Sequence, residues 1–371
     1  MQSRDEIAAD QNCAWPVSIA NSTPVVLYFD FFASVRQGLS PIDFIDDPAL
    51  KRDAVIKTFL ETGADGFVIG RLPGALSYAA GGFPNRIRLP GDGLPKQSMW
   101  QFEENTETIY AEDYDFIARY GWNRFLPKLL PRFTAYQAGE LPDLFRRLKE
   151  EGRQDLDAWQ KESVAILCGA AVTAPFEVLT AGRTLFNFFE DIYLRPEKVK
   201  GALEAMLPDL IENAIETASF FGIPAVVITA HRSCGSLISP AHFEEFAFPY
   251  ISRMVESFNS AGLNIMLHLD CDWTKNLSYF SDFPQGTIIH TDGLTDLAQA
   301  RKIFKNRFIL MGDVPALLLA RGSESQVEKY CLELISQVGK ERHFILSSGC
   351  DVPMDAQFEN VLAMVKAAEK S

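Results

Sequence analysis

The chain has 371 residues, 47% of them hydrophobic, and a net charge of −14. That charge excludes a nucleic-acid partner, because phosphate binding calls for clustered Lys and Arg, and it fits a soluble, cytoplasmic protein. No apolar run approaches the ~20 residues of a membrane span, the polar start "MQSRDEIAADQNCAWPVS" lacks the apolar stretch of a signal peptide, and the six cysteines form no CxxC pair.

In chain order, "PVVLYFDFF" from Pro24 predicts a strand with Asp30 near its end. "SPIDFIDDPALKRDAVIKTFLETGAD" predicts a helix with an acidic start and Gly63 near its close. "GFVIGRLPG" is a second strand, ending at Arg71. Residues 73 to 163 then break the rhythm: a Gly- and Pro-rich loop with aromatic anchors, including "SMWQFEE", precedes helical sequence. Such a segment is expected to be a lid, a binding wall or a plain cap.

Alternation resumes with "VAILCGAAVTAPFE", which leaves Thr173 in the following loop, and "PAVVITAHRSCGS", which ends in His231 and Cys234. "NIMLHLDC", "GTIIHTDG", "RFILMGDVP" and "HFILSSGCDVP" follow, with polar ends at His268, Asp270, Asp292, Asp313 and Cys350. The eight strands are each followed by helical sequence. That pattern implies an α/β fold of parallel βαβ units. The expectation is a single-domain (β/α)8 TIM barrel over 1–371, with 73–163 inserted between the second and third strands; an open doubly wound sheet fits the same alternation.

Reactive groups of a barrel gather at the C-terminal strand ends. Here those ends carry Asp30, Arg71, Thr173, His231, His268, Asp270, Asp292, Asp313 and Cys350, whereas the strand starts are poor in such groups apart from His343. Side chains alternate along a strand, so His268 and Asp270 share a face that Cys271 leaves. If the strand stops at Leu269, Cys271 can take the inward place instead. One His, one Asp and one Cys from two strand ends can make a Zn²⁺ site, since zinc accepts all three donors. The bland readings are a hydrogen-bonded His and turn-forming Asp292, Asp313 and Asp351. No nucleotide-binding glycine motif and no GxSxG elbow occurs.

"HLDCDW", "GDVPALLLARGSESQVEKYC" and "FILSSGCDVPMDAQFENVLAMVKAA", with the earlier "SCGSLISPAHFEEFAFPY", resemble the uroporphyrinogen decarboxylase superfamily. The resemblance runs from about residue 24 to the end and is strongest after residue 225. It implies a (β/α)8 barrel. The decarboxylase branch carries an "RQAGRY"-type segment whose arginines hold substrate carboxylates. The corresponding "FDFFASVRQGLSPIDF" keeps only Arg36–Gln37–Gly38, and the strand ends offer chiefly Arg71. The likeness is closer to the corrinoid-dependent methyltransferase branch, several members of which hold Zn²⁺ with an H-x-C motif and a distant Cys.

By position, His268 matches that histidine and Cys350 the distant cysteine, while Asp270 stands in the middle position and Cys271 one residue late. The resemblance therefore implies a metal set of His268, Asp270 and Cys350, with Asp292, Asp313 and His231 as catalytic or orienting groups. Asp30, Arg71 and Thr173 are the expected substrate contacts. It also implies transfer of a methyl group between a small methylated donor or acceptor and a corrinoid protein. The cobalamin would come with that partner, because the chain has no D-x-H-x-x-G segment. The alternatives are a decarboxylase of a smaller organic acid and a non-catalytic corrinoid- or tetrapyrrole-binding barrel.

Overall fold

Each apolar run ahead of a polar end forms a strand. The computed structural model describes residues 15–17, 23–68, 83–339 and 343–370. Its parallel strands are β1 (Val26–Leu27), β2 (Gly66–Phe67), β3 in two pieces (Ala165–Ile166 and Ala170–Thr173), β4 (Ala225–Ala230), β5 (Asn264–Leu269), β6 (Ile288–Thr291), β7 (Ile309–Val314) and β8 (Phe344–Ser348).

Two junctions turn the strand segments into a barrel. The first is inside β3. Its first piece pairs with β2 and its second with β4. Leu167 N–H reaches Phe67 O at 3.1 Å, and Gly169 N–H reaches Ala225 O at 3.0 Å, so the strand changes partner between them. Only glycine fits at 169, where a Cβ would lie 2.2 Å from the Ile223 carbonyl oxygen. The second junction joins β8 to β1, through a parallel bridge between Val25 and Leu346 and the Leu346 N–H to Pro24 O bond at 2.9 Å. With these, each of the eight strands has a neighbour on both sides, which decides for the TIM barrel over an open sheet.

Alternation sorts the side chains. Val26, Leu167, Val227, Met266, Ile288, Met311 and Ile345 form a buried cluster inside the barrel. Ile265, Leu267 and Leu269 of β5 face the larger core between barrel and helices. One period further along, the inner face changes character: Thr229, His268 and His290 stand side by side in register on β4, β5 and β6. The apolar layer thus forms the floor beneath a polar layer.

The helices follow their local signals. Asp47 caps the helix Pro48–Thr62 by accepting the N–H groups of Ala49 and Leu50, and Gly63 closes it at φ +73°. Two details differ from the expectation: the single helix predicted after β1 is two, Pro41–Asp46 and Pro48–Thr62, divided at Asp47, and the helical sequence after β5 is the 3-10 helix Thr274–Phe280. Trp273, Leu277 and Phe280 are wholly buried there, so tertiary packing rather than helix length holds this crossover. Between β2 and β3 the Gly- and Pro-rich stretch contains a small antiparallel pair, Ile87–Arg88 with Gln101–Phe102. The helices Asp113–Tyr120, Trp122–Leu129 and Leu141–Lys161 follow it. No helix among the described residues is long and apolar enough to cross a membrane.

Candidate metal centre

The polar strand ends open onto a cavity of about 2080 Å³. Its wall includes Asp30, Thr173, His231, His268, Asp270, His290 and Cys350, and the insertion adds Phe83, Trp100 and Phe102. Arg71 lies outside the described residues.

One hydrogen-bond chain sets the chemistry. A carbonyl oxygen can only accept, so at 2.9 Å from Ser348 O the His290 Nε2 carries the proton. His290 Nδ1 is then a bare acceptor. It lies 2.9 Å from His268 Nδ1, which must donate to it. This leaves the Nε2 lone pair of His268 free. That lone pair points at the Asp270 carboxylate, 3.3 Å from Oδ1, and at the Cys350 thiol, 3.6 Å from Sγ.

A lone pair, a carboxylate and a thiol at one point are three electron-rich groups facing each other. They lie within 4.8 Å of one another. Tetrahedral zinc with Zn–N and Zn–O near ~2.05 Å and Zn–S near ~2.3 Å would hold N and O about 3.3 Å apart and N and S about 3.6 Å apart. The observed separations match both, so the donor set fits a zinc ion. Burial pushes His268 down to about 4 and His290 down to about 3, so both rings stay neutral at neutral pH. The same burial pushes the Asp270 carboxyl and the Cys350 thiol up. A divalent cation reverses that penalty by pairing the charges.

The neighbouring loops hold these donors in place. Asp292 accepts the Cys271 N–H at 2.7 Å and the Leu294 N–H at 3.1 Å. Thr295 Oγ1 donates to Cys271 O, and Trp273 Nε1 donates to Asp270 O at 2.7 Å. Gly349 sets Cys350 against the same loop, since a Cβ there would lie 2.7 Å from Asp292 Cα. Cys271 adopts φ +72°, and its thiol neighbours Cys234 instead of joining the donor set; burial pushes it up to about 12. Cys234 is a buried free thiol.

The other expected site residues separate. His231 stacks on Phe83, ring centroids 5.0 Å apart, and its Nδ1 is 3.7 Å from Asp270 Oδ2. Neither of its ring nitrogens has a hydrogen-bond partner, and burial holds it down at about 3. Thr173 shares a 2.9 Å bond with Thr229. Asp30 faces Lys51 at 3.4 Å. Asp292 and Asp313 are not part of the cavity wall. Asp292 ties the β5 turn, and Asp313 accepts the Tyr330 hydroxyl at 2.8 Å on the helix Glu324–Leu334. Both thus anchor a loop or a helix at a strand end.

His290 is not among the strand-end residues singled out from the sequence, although "HTD" on β6 repeats the spacing of "HLD" on β5. Where the strand ends offer chiefly Arg71 as a cation, the insertion brings Arg86, Arg88 and Arg147 to the cavity wall.

Comparison with known proteins agrees with this architecture. The family model for uroporphyrinogen decarboxylase matches residues 159–371. The chain is 25% identical over 230 residues to uroporphyrinogen decarboxylase 2, chloroplastic, of Arabidopsis thaliana, covering 62% of this chain and 56% of that protein. It is 25% identical over 158 residues to uroporphyrinogen decarboxylase of Hordeum vulgare, covering 42% and 46%. The matches thus span about half the length of these curated relatives. Among solved structures, a methyltransferase from Methanosarcina mazei shares the fold with a TM-score of 0.68 at 15% identity, over 95% of this chain and 94% of that one. The matched region takes in β4 to β8 with all three donors of the centre, and on that ground the chain belongs to the uroporphyrinogen decarboxylase family.

Proposed function

We propose that the chain is a corrinoid-dependent methyltransferase. It moves a methyl group between a small methylated substrate, such as a methyl ether or methylamine, and a corrinoid (cobalamin) carried by a partner protein. The observation that carries this reading is the convergence of His268, Asp270 and Cys350 at zinc-ligand separations. When bound there, zinc supplies Lewis acidity to the substrate heteroatom, and a set with one thiolate leaves it more electrophilic than a thiolate-rich one.

The chain's own residues do the rest. His290 fixes the ring orientation and tautomer of His268, and Asp292 and Trp273 hold the turn that presents Asp270. Asp313 braces its strand end against Tyr330. His231, Phe83, Trp100 and Phe102 form an aromatic wall that excludes water from the reacting group. Thr173, Asp30 and Arg71 are the substrate contacts in this reading. The cavity mouth is left to the corrinoid partner.

Zinc content of the purified protein and methyl transfer to cob(I)alamin from a panel of methyl ethers and methylamines test the proposal. The expected result is about one zinc per chain and turnover that His268→Ala abolishes. A zinc-free protein whose turnover survives His268→Ala overturns it, and binding without turnover on the whole panel leaves only a corrinoid-binding barrel.

A second reading is a decarboxylase of an organic acid. Arg86, Arg88 and Arg147 in the cavity wall favour it. Release of CO₂ from a panel of small acids by the metal-free protein is the outcome that selects it.

A further inference from the structure

A ladder of rings runs along the cavity wall toward the donor set, and the methyl-transfer reading uses it only to keep water out. His231, the first residue after β4, lies flat on Phe83, with 5.0 Å between ring centroids and 18° between planes. Phe83 in turn lies flat on Phe102, at 6.0 Å and 25°, and Trp100 meets Phe102 edge-on at 4.7 Å. All of these rings line the cavity. The ladder ends at the candidate metal centre, because His231 Nδ1 is 3.7 Å from Asp270 Oδ2.

His231 is the last rung. Both of its ring nitrogens are shut off from solvent, and neither has a hydrogen-bond partner. The side chain is nonetheless 18% exposed. The part of it that reaches the cavity is therefore carbon. A histidine held in this way offers a ligand neither a proton nor a lone pair; it offers apolar surface. Phe83 covers one face of the ring, and among the described residues no other ring lies against it.

We infer that an aromatic ring of the substrate forms the next rung, stacked on the open face of His231, and that the methyl donor is an aryl methyl ether whose oxygen reaches the centre of His268, Asp270 and Cys350. The inference rests on reading that centre as a methyltransferase site. Offset stacking adds to plain apolar contact, because the quadrupoles of two flat rings attract and an aliphatic ring has none. A methylated ammonium is the other occupant that aromatic walls take, and it calls for ring faces turned together around one point. Here Phe83 is stacked against both of its neighbours, so the wall is a ladder with one open end and not a cage.

Methoxybenzene, methoxycyclohexane and tetramethylammonium separate these occupants, and calorimetry on the full chain reads their binding apart from turnover. Methoxybenzene should bind about 3- to 10-fold more tightly than methoxycyclohexane, which carries the same oxygen and methyl on an aliphatic ring, and more tightly than tetramethylammonium. His231→Leu should level the two ethers to within about 2-fold. His231→Phe should keep the preference, since a phenyl ring restores the rung without a nitrogen. Equal or tighter binding of methoxycyclohexane or tetramethylammonium overturns the inference, and so does a preference that survives His231→Leu or disappears in His231→Phe. If a variant fails to fold, the ranking of the three probes on the wild-type chain decides alone. A preference for methoxybenzene without methyl transfer from either ether to cob(I)alamin would sink the methyltransferase reading and leave the ring subsite standing. Methyl transfer from both ethers at equal affinity would do the reverse.

Discussion

His268-x-Asp270 on β5 and His290-x-Asp292 on β6 are the same motif on neighbouring strands, paired in register, yet they do different work. On β5 the histidine presents a free lone pair and the aspartate joins it. On β6 the histidine spends both nitrogens on the Ser348 carbonyl and on His268, and the aspartate spends its oxygens on backbone N–H groups. Cys350 makes the difference. Its thiol comes within reach of His268 Nε2, while the carbonyl two residues before it engages His290. A motif supplies donor types and a face; the third strand decides which copy becomes the centre and which its support.

This contrast can be broken by substitution. The largest effect belongs to the β5–β8 set. Cys350→Ala or His268→Ala should cut zinc affinity by more than ~100-fold, beyond the range expected of supporting residues. Metal stoichiometry after dialysis measures it, and full occupancy in both variants would show that the donors were misassigned. His290→Ala comes next, with a loss of about 10- to 100-fold in zinc affinity, read by competition with a chelator. If it instead matches His268→Ala, the two motifs are equal partners and the contrast fails.

Zinc affinity should also rise about tenfold per pH unit between pH 6 and 8, because binding expels one thiol proton. The sign follows from burial, which holds the Cys350 thiol well above its usual value in the metal-free protein. The proton is thus present at neutral pH, and affinity falls as pH falls. A flat profile would remove Cys350 from the set. Asp292→Ala leaves the Cys271 and Leu294 N–H groups without their acceptor and should cost about 1–3 kcal/mol of stability in denaturant unfolding. Its effect on zinc should stay below that of His290→Ala. The smallest effect is expected of Cys271→Ser, with zinc affinity unchanged within about 3-fold, since that thiol faces Cys234. Loss of zinc there would move the middle ligand from Asp270 to Cys271.

Much of this was readable in the chain itself. Apolar runs of four to six residues bounded by polar ends marked β4 to β8, because buried parallel strands need side chains that both faces can bury. The acidic start and Gly63 announced helical sequence through capping chemistry that is local, while its division at Asp47 into Pro41–Asp46 and Pro48–Thr62 did not show. Alternation along "IMLHLD" put His268 and Asp270 on one face without any tertiary information. What else failed to show was non-local. The role of His290 depends on a carbonyl 58 positions away. Asp351 read as a turn residue before Val352–Pro353, yet its carboxylate takes the Asp30 N–H because β1 ends beside it. The arginines of the insertion reach the cavity through a hairpin and three helices whose docking no periodicity encodes.

The chain by itself therefore determined the parallel α/β repeat, the polar strand ends and the donor types on each face. These follow from hydrophobic period and backbone geometry, which act over a few residues. Only the tertiary structure decided that the ring closes, through Gly169 and the Val25–Leu346 bridge, and that Cys350 meets His268. Closure sets which strand ends become neighbours, and a metal centre is a property of neighbours in space, where separations of about 3–4 Å between donors decide whether an ion can be held.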